Sequence, residues 1–213
     1  LYSAGDILSA DHMTFHSTIM DGRRSLQISD RHLLTLGGDY RMEDYDSTRL
    51  TESPSMKYAA LYVQDKWKVN RSWLLIPSVR YDYVNVFGSK VTGSLSSTYD
   101  INKDTRLKIN LGSTYRSPTA SELYMNWLHD SYAYLLGNKN LRPETAVDFD
   151  VALETEHGHT SGRLSYFLNK IKDMIDYAYQ GITSGLYTYK YYKTYKNKYK
   201  SYFFTRSRIL FIS

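Results

Sequence analysis

Glu156, His157 and His159 stand close together in the chain, and carboxylate and imidazole groups at such spacing can ligate a divalent metal. A closed metal site needs three or four converging ligands, and this cluster sits on one short turn, so the reading is of no metal and no cofactor. His12 and His16 are spaced as on one helix face, yet the pattern around them is that of a strand. Ser121 and Glu122 lack the Gly-x-Ser-x-Gly elbow that would expose a nucleophile. No catalytic residue is therefore assigned, and the chain is not expected to be an enzyme. Two other sets stand out. Arg80, Asp82, Arg106, Arg116, Asp148 and Asp150 recur at alternate positions of successive apolar stretches. Tyr124, Trp127, His129, Tyr132 and Tyr134 crowd one long connection. Rings of that kind can cover a flat, partly apolar ligand, or anchor a loop at an interface. A lone His129 is weak ground for a haem ligand.

The elements that must carry these residues read as strands. In 59–69, Ala59, Leu61, Val63, Trp67 and Val69 share one face and Gln64, Lys66 and Lys68 the other. Leu34, Leu36, Tyr40 and Met42 oppose Asp39, Arg41 and Glu43 in 32–43. The same alternation runs through 73–83, 90–101, 105–117 and 147–154, and more weakly through 13–28 and 162–178. Turn formers punctuate the chain at 29–31, 70–72, 102–104 and 158–161, while longer connections span 44–56 and 118–144, with a further one at 84–89. Short turns at one end and longer loops at the other, on strands of about 9–11 residues, are the pattern of a transmembrane barrel. Its apolar rows face lipid and its charged rows face the lumen. Tyr58, Trp67, Trp73, Tyr81, Tyr83, Tyr99 and Tyr115 lie near strand ends, as an interfacial girdle requires. A soluble β-sandwich also alternates, but its strands are shorter, typically about 5–6 residues.

Composition agrees. The 213 residues are 42% hydrophobic, which excludes disorder throughout, and they hold no cysteine. No run reaches the length of a membrane-spanning helix. The pI of 9.1 misleads. Residues 177–213 hold five Lys, two Arg and no acid, and the rest of the chain is close to neutral. No groove-binding motif accompanies that charge, so no nucleic-acid partner is expected. The chain starts in mid-pattern without a secretory signal, as an interior piece of a longer protein would.

Several segments carry a family likeness: HLLTLGGDYR (32–41), YAALYVQDKWKVNRSWLLIPSVRYD (58–82), YRSPTASELY (115–124), GNKNLRPETAVDFDVALE (137–154) and SYFLNKIKDMIDY (165–177). In order and spacing they resemble the TonB-dependent outer-membrane receptors. YRSPTASELY followed by LLGNKNLRPET is the most specific pair. The resemblance implies an all-β, antiparallel transmembrane barrel, commonly of 22 strands, of which about eight are present. It implies uptake of a ferric siderophore, or of haem or cobalamin, and a bacterial outer-membrane location. It also implies a partnership with TonB through an N-terminal plug that is not seen in this stretch. Arg80, Asp82, Arg106, Arg116, Asp148 and Asp150 would then face the lumen and plug, either holding the plug or solvating the interior. The aromatics of 118–144 would lie in an extracellular loop, as ligand contacts or interfacial anchors. The likeness ends near residue 179. Residues 180–213 form a Tyr/Lys-rich tail, read as the product of a frameshift, or alternatively as an aromatic strand.

Overall fold

The computed structural model describes residues 11–129, 133–183, 186–193 and 198–209. Nine strands form one antiparallel sheet: β1 (Met13–Ser29), β2 (His32–Ser47), β3 (Ser55–Lys68), β4 (Trp73–Val84), β5 (Gly88–Asp100), β6 (Thr105–Arg116), β9 (Glu144–His157), β10 (Thr160–Lys172) and β13 (Lys198–Ile209). Each pairs with the next in that order. The connection between β6 and β9 holds a short helix, α1 (Ala120–Tyr124), and two short strands, β7 (Asn126–His129) and β8 (Ala133–Leu136). With β11 (Ile175–Thr183) and β12 (Leu186–Lys193) these strands make a second sheet in the order β11-β12-β8-β7. There β12 and β8 pair in parallel, and β11–β12 and β7–β8 pair antiparallel.

The wall has one strand more than expected, because β13 pairs with β10 from Thr160↔Ile209 to Ile171↔Lys198. One predicted strand is divided. Residues 162–178 do not run on as a unit, since Asp173 takes a left-handed φ of 58° and β11 leaves for the second sheet. Asp is among the few residues that tolerate this conformation, so the break falls where the chain can make it.

The alternation has a direct structural expression. Leu61, Val79, Leu111 and Val147 project from one face of the wall and are half or more exposed. A sandwich would cover such a face with a second sheet. Here the second sheet lies at the loop end instead, where Met56, Ala120, Leu123, Leu141 and Ile175 form a buried cluster. Trp67, Trp73, Tyr81, Tyr83 and Tyr99 are all exposed, as a girdle would be. The turns after β1, β3, β5 and β9 are short and lie at the opposite end, and Gly158 supplies the left-handed φ of 58° that the β9–β10 turn uses.

Candidate functional site

The long connection folds because its sequence caps itself. Thr119 Oγ accepts from the Glu122 amide at 3.2 Å, and Glu122 accepts from the Thr119 amide at 2.8 Å. This reciprocal pair starts α1. Glu122 also accepts from both terminal nitrogens of Arg116, each at 2.9 Å. The same guanidinium donates to Glu144 at 2.9 and 2.8 Å. Glu144 in turn accepts from the Ile175 amide at 2.6 Å. One arginine therefore ties the end of β6, the helix, the start of β9 and the start of β11. The two carboxylates are only 13% and 15% exposed. Gly137 closes the loop from the other side, its amide donating to the Met125 carbonyl at 2.7 Å. A Cβ there would meet backbone atoms of Leu123 and Met125 at 2.5–2.6 Å, so glycine is needed for the approach.

Below this knot the inner face carries a recess of ≈550 Å³. Arg80 bridges Asp39 (2.8 Å) and Asp82 (2.9 Å). Arg41 lies over the Tyr58 ring at 4.1 Å and pairs with Glu43, which accepts from the Tyr45 hydroxyl at 3.0 Å. Tyr58 and Tyr115 line this recess, which corrects their expected place in the lipid-side girdle. For Tyr58 the reason is parity, since it alternates with the inner-face Ala60 and Tyr62. For Tyr115 it is a local change of pairing. β5 and β6 pair only up to Ser94↔Gly112, beyond which the Ser113 side chain bonds the Gly93 amide and carbonyl. The end of β6 is released from β5, and Tyr115 rests edge-on against Phe87 at 5.8 Å.

At the short-turn end the basic partners are exposed, while Glu154 and Asp104 are half-buried. Arg106 meets Asp100 at 2.9 Å, and Glu154 is shared by Lys108 (2.8 Å) and Arg163 (3.0 Å). His157 bonds Asp104 across two turns at 2.9 Å. Among the described residues no three His, Cys, Asp or Glu converge as a metal site. His12 and His16 flank or lie in a strand; His12 is bonded to Thr14 and Thr48. Glu122 is committed to capping and to Arg116 rather than to Ser121. Of the inner-face set, Arg80 and Asp82 pair directly and Arg116 lines the same recess. Arg106 and Arg116 mark opposite ends. Asp148 accepts from the Asn169 amide in mid-wall, and Asp150 pairs in register with Asn110 and Phe167.

The loop aromatics separate too. Tyr124 ends α1 and packs on the buried cluster, with Lys139 Nζ 5.1 Å from its ring. Trp127 lies under Arg49 at 4.2 Å. Arg49 holds Asp11 by a hydrogen bond of 3.1 Å, and that bond keeps the Asp11 carboxyl below its usual range. Trp127 pairs in register with Leu135, so the neighbouring Tyr134 belongs to the opposite face of the second sheet. His129 closes β7 opposite Ala133, and Tyr132 lies outside the described residues. Residues not singled out beforehand complete the picture: Asp39 and Glu144 as partners of the arginines, and a tyrosine cluster on β11 and β12. The Thr-x-x-Glu signature at 119–122 was the available signal for the helix.

Comparison with known proteins gives these elements a context. The family model described as TonB dependent receptor-like, beta-barrel matches residues 2–204. The ferric enterobactin receptor of Pseudomonas aeruginosa is 23% identical over 71% of this chain and 24% of its own length. The vitamin B12 transporter BtuB of Photobacterium profundum is 24% identical over 81% of this chain and 27% of its own. The chain thus spans about a quarter of these relatives. Among solved structures, the siderophore receptor PirA of Pseudomonas aeruginosa superposes with a TM-score of 0.76 at 22% identity, over 92% of this chain and 40% of that one. The fold is shared at that level.

Proposed function

The chain belongs to the TonB-dependent receptor-like β-barrel family, and from that premise we propose that it is part of the outer-membrane wall of a ferric-siderophore receptor. Members of this family are receptors and transporters, so the reading is of uptake rather than catalysis. The observation that carries the proposal is the two-faced nine-stranded wall: apolar side chains bare on one side, an arginine–carboxylate network on the other, and folded loops gathered at one end. Ligand would meet the loop end, lipid the apolar face, and TonB would supply energy through a plug that contacts the inner charges. Ferric enterobactin receptors and a siderophore receptor among the relatives favour iron chelates. The BtuB relatives support cobalamin as the second reading. We place the family's barrel wall in residues 1–179 and treat 180–213 as a Tyr/Lys-rich segment that a frameshift would account for, one strand of which, β13, adds to the edge of that wall.

The test uses the longest form of the protein that the gene encodes, expressed in a bacterial outer membrane. Uptake of radioactive iron supplied as a ferric siderophore, dependent on both the protein and TonB, is the expected result. Uptake of cyanocobalamin or haemin in its place would overturn the siderophore assignment. The membrane reading has its own test. Leu61→Arg on the apolar face is expected to cost about 2–4 kcal/mol and to reduce insertion, while Gln64→Arg on the inner face leaves insertion near normal.

A further inference from the structure

The apolar face of the wall is not smooth. Gly22 pairs with Gly38, Gly38 with Leu61 and Leu61 with Tyr81, so one row across β1–β4 begins with two residues that have no side chain. The next row toward the loops runs Met20, Tyr40, Ala59, Tyr83. Large neighbours around Gly22, Gly38 and Ala59 leave a groove of ≈450 Å³. Its floor is open at Gly22, where a Cβ would meet nothing within 4 Å. Adjacent strands lie about 4.8 Å apart, so a floor two strands wide admits a polymethylene chain, whose carbons touch at about 4 Å, and not an α-helix about 10 Å across. Tyr40, Tyr81 and Tyr83 flank the groove with exposed rings, and among the described residues none hydrogen-bonds to their hydroxyls. Their depth follows from strand geometry. Trp73 opens β4 and Tyr83 stands next to its end. At about 3.3 Å per residue and a tilt of about 40°, the two are about 25 Å apart along the membrane normal, the height of a barrel's apolar band. The tyrosines therefore stand at the loop-side interface, and the groove opens into hydrocarbon beneath them.

We propose that this groove holds one acyl chain of an ester-linked membrane lipid, with the ester carbonyls at the tyrosine hydroxyls. The inference rests on the membrane reading above and adds a binding site to it. Hydrophobic burial does not drive it, because lipid tails are as apolar as the side chains they meet; contact and hydrogen bonding do. Over a flat part of the face a chain is touched from one side. In the groove it is touched by the floor and by both walls, and each added pair of atoms contributes dispersion. The hydroxyls supply the specificity. A hydroxyl without a partner at the edge of hydrocarbon is costly, and ester oxygens are acceptors that the bilayer offers at this depth. A chain without the ester makes the first set of contacts and not the second. The glycine is not explained by the fold, since Gly22 has room for a side chain and is not among the glycines of left-handed φ. Glycine weakens a strand interior, and one reason to find it there is the close approach of a ligand.

The experiment uses the full-length protein in detergent micelles with a trace of diester phosphatidylethanolamine that carries a diazirine on one acyl chain. After photolysis, labelled peptides are mapped by mass spectrometry. The expected result is label concentrated around Met20, Gly22, Tyr40 and Leu61. Unlabelled diester phosphatidylethanolamine should displace it at least about threefold better than the dialkyl ether analogue, which lacks the carbonyls. Gly22→Leu fills the floor and should lower labelling there at least about fivefold, while Val147→Leu elsewhere on the same face leaves it unchanged. A Tyr40→Phe/Tyr81→Phe/Tyr83→Phe variant keeps the rings and should lose the preference for ester over ether. Protease resistance of each variant separates a filled groove from a failed fold. Label spread evenly over the apolar face, or unchanged in a folded Gly22→Leu protein, overturns the groove and leaves the membrane reading standing. If Gly22→Leu does not fold, the Phe variant decides: loss of the ester preference supports the site and its retention overturns it. Cross-links from Tyr40 to a second copy of the chain in place of lipid overturn the occupant. Absence of label from the whole apolar face overturns both the groove and the membrane reading.

Discussion

The same strands end in two different ways. At the short-turn end Arg106 and Asp100 pair with side chains 51% and 42% exposed. At the loop end Arg116 is gripped by two carboxylates that are mostly buried, and these also hold a helix and a strand of the second sheet. Solvent-exposed pairs contribute about 0–1 kcal/mol, because water screens them and two long side chains lose freedom. Arg116 is itself 42% exposed, but its four hydrogen bonds go to carboxylates that are largely buried, and its removal leaves them facing each other without a counter-ion. The turn end needs only to be soluble. The loop end must hold a shape, and it spends its charged residues on geometry.

That contrast is open to direct attack. Arg116→Ala is expected to have the largest effect, destabilising the loop by about 3 kcal/mol and raising amide exchange in α1 and β7 by roughly a hundredfold. Exchange unchanged within threefold would remove the distinction between the two ends. Gly137→Ala should come next, at about 2 kcal/mol, because the new Cβ would strike backbone rather than a movable side chain. Limited proteolysis between 117 and 143 would report it as faster cleavage. Arg106→Gln at the turn end is expected to change stability by less than about 0.5 kcal/mol, and a loss comparable to that of Arg116 would break the comparison. The smallest effect concerns acid. The lowered Asp11 carboxyl means that its pairing with Arg49 is fully present above the ordinary aspartate value of about 3.9. The pairing is lost only as pH falls through the lowered value. Fluorescence of Trp127, which Arg49 covers, should therefore stay constant down to about pH 4 and change below it.

Much of the wall was legible in the sequence. Period-two alternation defines which side chains share a face, and in a strand that parity survives folding, so Leu61, Val79 and Val147 fell on the lipid side as read. The turn residues at 29–31, 70–72, 102–104 and 158–161 marked one end, since tight turns demand particular backbone angles that few residues accept. Parity said nothing of which strand lies beside which. The closure of β6 on β9 across a 27-residue connection, and the addition of β13 to β10, are long-range pairings that only the folded chain decides. Local irregularity escaped for the same reason. Tyr115 has lipid-side parity yet enters the inner recess, because β6 parts from β5 after Gly112. The knot at Arg116 joins residues 6, 28 and 59 positions away through a single side chain and one backbone amide. Sequence determines the type and face of each residue through local sterics. Which charges meet, and which tyrosines lie side by side, depends on distances that exist only after the strands are paired.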